Sequence, residues 1–172
     1  MTIDVDKALA DDIEVQIRGL MLDPVTNMPI VVLKDVASDL VLPIWVGVFE
    51  ANAIALELEK TTMPRPMTHD LLRNMAKGLN AVVDRVVVSD LREDTFYATI
   101  WMTQGAEAVT MDARPSDAIA LALRWDCPIF VNKKVMGQTK QNGGAADANV
   151  NEAQLRRWLE NLNEDDTGQY KM

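Results

Sequence analysis

The sequence predicts an α+β domain: a mixed β-sheet of about six to seven strands, with three packed helices and a further C-terminal helix. Three observations carry this expectation. Stretches of period-two hydrophobicity cluster early and again in the middle of the chain. Stretches of helix-forming composition with apolar residues three and four apart lie between and after them. Glycine, proline or asparagine marks most of the changes from one to the other. Strands that run in meanders, rather than each alternating with a helix, place the fold in the α+β class.

In the first strand, Ile13, Val15, Ile17, Gly19 and Met21 alternate with Glu14, Gln16 and Arg18, the pattern of a half-buried strand. Asp23-Pro24 and Thr26-Asn27 turn the chain into a second strand, Pro29 to Leu33, and Lys34 to Asp39 connects to a third, Leu40 to Val46. Gly47 permits a sharp bend into a helix over Phe49 to Lys60, rich in alanine, leucine and glutamate. Pro64 and Pro66 stop that helix. The next helix carries an amphipathic stripe of Leu71, Leu72, Met75 and Leu79. Val82 to Leu91 and Thr95 to Met102 form a hairpin about Arg92-Glu93-Asp94, and Gln104-Gly105-Ala106 turns into a strand over Val109 to Asp112. Pro115 opens a helix running to Arg124, and Pro128 to Val131 closes the sheet.

These elements divide the chain into an acidic N-terminal extension (1–12), a domain (13–136), a flexible linker (137–150) containing Asn142-Gly143-Gly144, an amphipathic helix (151–162) and a disordered tail (163–172). Asn151 and Gln154 stand close to a capping box, and Leu155, Trp158, Leu159 and Leu162 form that helix's stripe, suited to docking on the domain or on a second copy, with a homodimer the expected assembly.

A chain of 172 residues with 48% hydrophobic content can bury a core without cross-links. The single cysteine, Cys127, excludes an internal disulfide framework and a cysteine-based zinc cluster, and its neighbours Pro128, Ile129 and Phe130 mark a buried thiol. No apolar run approaches the roughly 20 residues that cross a bilayer. The start, MTIDVDKALADD, lacks a signal peptide's basic and apolar regions, so a cytoplasmic, bacterial-type location is expected. Of the net charge of −9, one third falls on residues 1–12 and one third on 147–172, leaving the middle nearly balanced. The absence of a basic stripe argues against a protein that coats nucleic acid, yet leaves room for an enzyme site with two or three arginines.

Two corners stand out. Arg65-Pro66 precedes Thr68, His69, Asp70 and a helix, and Arg114-Pro115 precedes Ser116, Asp117 and a helix. One reading is local: Thr68 and Ser116 cap their helices, and Asp70 and Asp117 complement the helix dipoles. The other is chemical. A helix N-terminus offers unpaired N–H groups to an anion, an arginine beside it adds bidentate recognition, and His69, the one histidine, is the obvious proton carrier. Glu50 and Glu57 share a face of the first helix about 10 Å apart, too far to hold one ion unaided; Glu57 is also placed to pair with Lys60.

The segments Glu50-Ala51-Asn52-Ala53-Ile54-Ala55, Pro64 to Leu72, and Asp112-Ala113-Arg114-Pro115-Ser116-Asp117-Ala118-Ile119-Ala120-Leu121-Ala122-Leu123-Arg124 resemble the bifunctional nuclease domain family, also catalogued as a domain of unknown function. The resemblance runs from about Ile13 to Val135, and Arg-Pro-Ser-Asp-Ala-Ile-Ala is its most specific part. It implies a compact α+β fold and the nuclease activity on DNA and RNA described for plant members, hence a nucleic-acid substrate and hydrolysis of phosphodiester bonds. On that expectation Arg65 and Arg114 clamp phosphate, His69 is general acid or base, Thr68 and Ser116 contact substrate, and Asp70, Asp112 and Asp117 with Glu50 hold Mg²⁺ or Mn²⁺. The alternative is a non-enzymatic module that grips an anion or a partner's acidic group with the same corners.

Overall fold

The computed structural model describes residues 10–141. In chain order the elements are β1 (Asp12–Leu22), β2 (Pro29–Asp35), β3 (Val41–Trp45), α1 (Val48–Leu58), α2 (Thr68–Gly78), β4 (Ala81–Arg92), β5 (Thr95–Gln104), β6 (Glu107–Ala113), α3 (Pro115–Trp125), β7 (Ile129–Asn132) and α4 (Lys133–Gln141). The predicted order of strands and helices holds as far as β7, and α4 is a helix that the sequence pattern did not predict. Residues 1–9, the C-terminal helix expected over 151–162 and the tail lie outside the described residues. Of the segment expected to be a flexible linker, residues 137–141 are helical, as the end of α4, and the remainder also lies outside them.

All seven strands join one sheet in the order β3-β2-β1-β7-β4-β5-β6. Every pairing is antiparallel except β4 with β7, so α3 serves as part of the connection that returns β7 to the middle of the sheet. The β4–β5 hairpin closes through Glu93 and Asp94, both at positive φ (46° and 59°), the two-residue turn whose twist matches paired strands. In β1 the register shifts between Ile17 and Gly19. This bulge interrupts the period of two, and Leu20 packs against the core where strict alternation would have used Gly19 and Met21.

The main core takes alternate residues from the strands: Val31 and Leu33, Leu42 and Ile44, Val86 and Val88, Ala98 and Ile100, Ile129 and Val131. Ala51 and Ile54 of α1, Val135 and Met136 of α4, and five successive residues of α3, Ala118 to Ala122, complete it. α3 is the central helix, packed against β4, β5, α1 and α2. Its alanines let neighbouring backbones approach closely. Asp126, at φ 58°, ends it in the left-handed conformation. Cys127 is half-buried, and burial pushes its thiol up to about 11, as expected of an inert packing residue.

α2 departs from the usual arrangement of an amphipathic helix. Leu71, Leu72, Met75 and Leu79 all face solvent, and His69 is its one fully buried residue. Its polar side meets α3 instead. His69 bonds Asp117, Asp70 bonds Arg124, Arg73 donates to the Arg124 carbonyl at 3.3 Å, and the Lys77 ammonium stands over the Trp125 ring. The physical reason is Arg124. Its side chain is 2% exposed, so its guanidinium needs partners, and it finds Asp70 Oδ1 at 2.7 Å, the Ala120 carbonyl at 2.9 Å and the Ala53 carbonyl of α1 at 3.0 Å. That requirement outweighs burial of the leucines and fixes which face of α2 turns inward.

Arg124→Ala should therefore lower the unfolding free energy by about 3 kcal/mol, since it strands Asp70 and two carbonyl groups at once. Urea titration followed by circular dichroism measures this, and a loss under ~1 kcal/mol would deny Arg124 its central place.

Candidate active site

Three helix N-terminal turns meet at one chain of side chains. Glu50 lies in the first turn of α1, His69 in that of α2, and Asp117 in that of α3, with Arg114 immediately before α3. Arg114 donates Nη1 to Glu50 Oε1 at 2.8 Å and Nε to Asp117 Oδ2 at 2.6 Å. The other carboxylate oxygen of Asp117 lies 3.1 Å from His69 Nε2. The order is thus Glu50–Arg114–Asp117–His69, and it bridges both proline corners predicted from the sequence.

Local rules place each member. Pro115 at the first position of α3 leaves Arg114 in extended conformation outside the helix, free to reach two carboxylates. Gly47 precedes α1, and the Glu50 carboxylate folds back against it; a Cβ at position 47 would collide with Glu50 Oε2. On α2, Asp70 Oδ2 accepts the Met67 N–H at 2.9 Å, closing the first turn and setting His69 toward α3. Thr68 and Ser116, expected as N-caps, are not in that position. The caps are Met67 and Arg114, because Asp70 supplies the side-chain acceptor in one case and proline removes an N–H in the other. Thr68 is exposed and Ser116 buried.

The electrostatics follow. Burial pushes the Asp117 carboxyl upward, but hydrogen bonds from Arg114 and His69 outweigh it and hold the group below the usual carboxylate range. Asp70 behaves likewise, with the Met67 N–H and Arg124 overcoming burial. Hydrogen bonding to Asp117, then to Glu50, makes Arg114 still more firmly cationic. With Asp117 ionised, His69 Nε2 is the donor in that bond, and Nδ1 has no hydrogen-bond partner among the described residues.

Arg65 is elsewhere. It is exposed, makes no hydrogen bond or ion pair with a described residue, and lines an open cleft of about 350 Å³. Glu57, Asp70, Arg73 and Asn74 contribute to that cleft, but His69, Arg114 and Asp117 do not. The two guanidinium groups therefore do not share the cleft, although His69 and Asp117 join their corners. The four carboxylates expected to hold Mg²⁺ or Mn²⁺ do not gather either. Asp70 is engaged by Arg124, Glu50 and Asp117 lie on either side of Arg114, and Asp112 stands on β6 in register with Thr99 without an ion pair. Among the described residues no three His, Cys, Asp or Glu side chains are grouped to hold a metal ion. Glu57 pairs with Lys60 at 3.0 Å, as its spacing predicts.

Arg124 was given no role by sequence reasoning. One signal pointed to it: a cation ending the run Ala118-Ile119-Ala120-Leu121-Ala122-Leu123, where a charge on a buried helix must find partners.

Comparison with known proteins gives the family. The model of the bifunctional nuclease domain matches residues 31–143, which contain all four members of the chain. The chain belongs to the bifunctional nuclease domain family. It is 40% identical over 125 residues to an uncharacterized protein of Mycobacterium tuberculosis, covering 73% of this chain and 74% of that one. It is 28% identical over 116 residues to Bifunctional nuclease 1 of Oryza sativa subsp. japonica, covering 66% of this chain and 35% of the rice protein. With Bifunctional nuclease 1 of Arabidopsis thaliana the identity is 29% over 109 residues, or 61% and 34% of the two chains. The chain thus spans about a third of the length of these plant relatives. Among the described residues no helix is long and apolar enough to cross a membrane.

The depressed carboxyl groups set an acid limit to the fold. A group whose folded-state pKa lies below its unfolded value stabilises fully above the unfolded value, near 4, and loses that contribution as pH falls through the folded value. Stability measured by urea titration should fall as the pH drops below about 4, and Asp70→Asn with Asp117→Asn should make that fall shallower. An unchanged slope in the double variant would place the acid sensitivity in other carboxylates.

Proposed function

We propose that this protein hydrolyses phosphodiester bonds of DNA or RNA, with His69 as the proton carrier. The single observation that carries the reading is the Asp117–His69 pair at 3.1 Å, anchored by Arg114 at a junction of helix N-termini. Membership of the bifunctional nuclease domain family and the names of the plant relatives support the choice of a nuclease over other phosphate chemistry.

In the proposed reaction a water oxygen bonds to phosphorus as its proton passes to His69 Nδ1, and the bond from phosphorus to the leaving sugar oxygen breaks. The leaving oxygen takes a proton from solvent, and His69 later releases the one it accepted. Asp117 holds the ring by Nε2 and stabilises the imidazolium. Arg114, whose side chain is 65% exposed and whose Nη2 has no partner among the described residues, faces the developing charge on phosphate. Arg65, across the first turn of α2, binds a flanking phosphate in its cleft. Thr68, exposed beside His69, offers a hydroxyl to the substrate, whereas Ser116 is buried. A divalent ion, Mg²⁺ or Mn²⁺, would meet only Glu50 and Asp117 near the substrate and would have to compete with Arg114; its chemistry when bound is charge neutralisation on phosphate.

A second reading keeps the site and removes the turnover. Arg114 is already held by two carboxylates, as in a structural or anion-sensing junction, and the net charge of −9 does not favour polyanions. In that case the protein binds a phosphate-bearing ligand or an acidic partner without cleaving it.

Highly purified protein, assayed on single-stranded DNA and RNA with and without divalent metal, decides between them. His69→Ala should reduce kcat at least ~10²-fold, and Arg65→Ala should raise KM while leaving kcat within a few-fold. Equal cleavage by wild type and His69→Ala would assign the activity to a contaminant; binding without cleavage would select the second reading.

A further inference from the structure

The apolar residues on the exposed face of α2 take no part in the proposed hydrolysis. Leu71, Leu72, Met75 and Leu79 are each between 46% and 63% exposed, and Met67, 38% exposed, continues the row one turn earlier. At 100° per residue all five fall within a sector of about 140°, so they form one stripe rather than scattered contacts. Polar neighbours along it, Thr68 and Asn74, are uncharged, and Gly78 leaves open space above its Cα. The four residues from Leu71 to Leu79 present on the order of 400 Å² of apolar surface, the size of the largest patch on a typical monomer, which is often functional.

We propose that this stripe is the contact between two copies of the chain, packed as an antiparallel helix pair about a two-fold axis. The area agrees with that occupant. Homodimer interfaces are about 65% apolar, so a core of this size corresponds to roughly 600 Å² per partner, the lower bound of a specific stable interface. The chemistry agrees as well. Self-pairing sets like against like, which charged residues would penalise, and the stripe contains none. Met67, Leu71, Met75 and Leu79 recur every fourth residue, the ridge that seats in the groove of another helix, and the gap at Gly78 admits a side chain from the partner. Nucleic acid is a poor occupant, because Arg73 and Lys77 face α3 and leave no cation on the stripe. The net charge of −9 on each copy opposes association at long range, so apolar contact must carry it.

Sedimentation equilibrium of the full chain at micromolar concentration tests this. The expected mass is twice 19.1 kDa for the wild type and 19.1 kDa for Met75→Glu, with an unchanged circular dichroism spectrum. Leu71→Asn with Leu79→Asn, which adds no charge, should likewise give the monomer and guards against misfolding of the first variant. A monomeric wild type overturns the proposal and leaves the face to a different partner; a dimer that survives both variants overturns it by placing the contact elsewhere. The outcome is read separately from hydrolysis, because the substituted residues Leu71, Met75 and Leu79 are exposed whereas His69 is buried against Asp117 of α3.

Discussion

The buried Arg124 guanidinium is the constraint from which the arrangement of the three helices follows. A permanently charged group that is 2% exposed must be surrounded by acceptors, and no single element supplies enough of them. The Ala120 carbonyl belongs to its own helix, Ala53 to α1 and Asp70 to α2, so the cation draws three segments to one point. The alternative, burying the leucines of α2 against α3, would leave Arg124 and Asp70 unpaired in the same space. Ionic desolvation costs more than a few half-exposed leucines, and the helix packs with its polar side inward.

That choice positions the candidate site. Once Asp70 is pulled to Arg124, its neighbour His69 is carried to Asp117 on the preceding turns of α3, and Arg114 completes the link to α1 through Glu50. Charge alternates along the result: carboxylate, guanidinium, carboxylate, imidazole. Its two inner members, Arg114 and Asp117, are each held from both sides, and its ends differ in character. Glu50 is folded back on Gly47, whereas His69 retains a ring nitrogen with no partner among the described residues. An anchored ring with one such nitrogen is what a positioned proton carrier requires.

The same packing leaves an apolar face outward, so the interior ion pairs and the exposed stripe are two consequences of one orientation. A helix that satisfies its charged residues internally must present its leucines to something else. In this family member His69 and the proposed contact between copies therefore lie on different faces of one eleven-residue helix.

Much of the fold was legible because it depends on local physics. The strand periodicities, the Glu93-Asp94 turn, the proline stops at Pro64 and Pro66 and the helix opened by Pro115 are properties of neighbouring residues, and they predicted the elements in the right order. The motifs around His69 and Arg114 were legible for the same reason, and so was the pairing of Glu57 with Lys60. Helical spacing identified the stripe from Leu71 to Leu79 but could not say which way it faces, since amphipathicity defines two sides and not an interior. The separation of Arg65 from Arg114, the division of the four carboxylates and the role of Arg124 were decided only by tertiary packing. Each depends on partners 50 to 70 residues away, as Arg124 does on Asp70 and Ala53, and on the long-range balance between burying a charge with its acceptors and burying a methyl group.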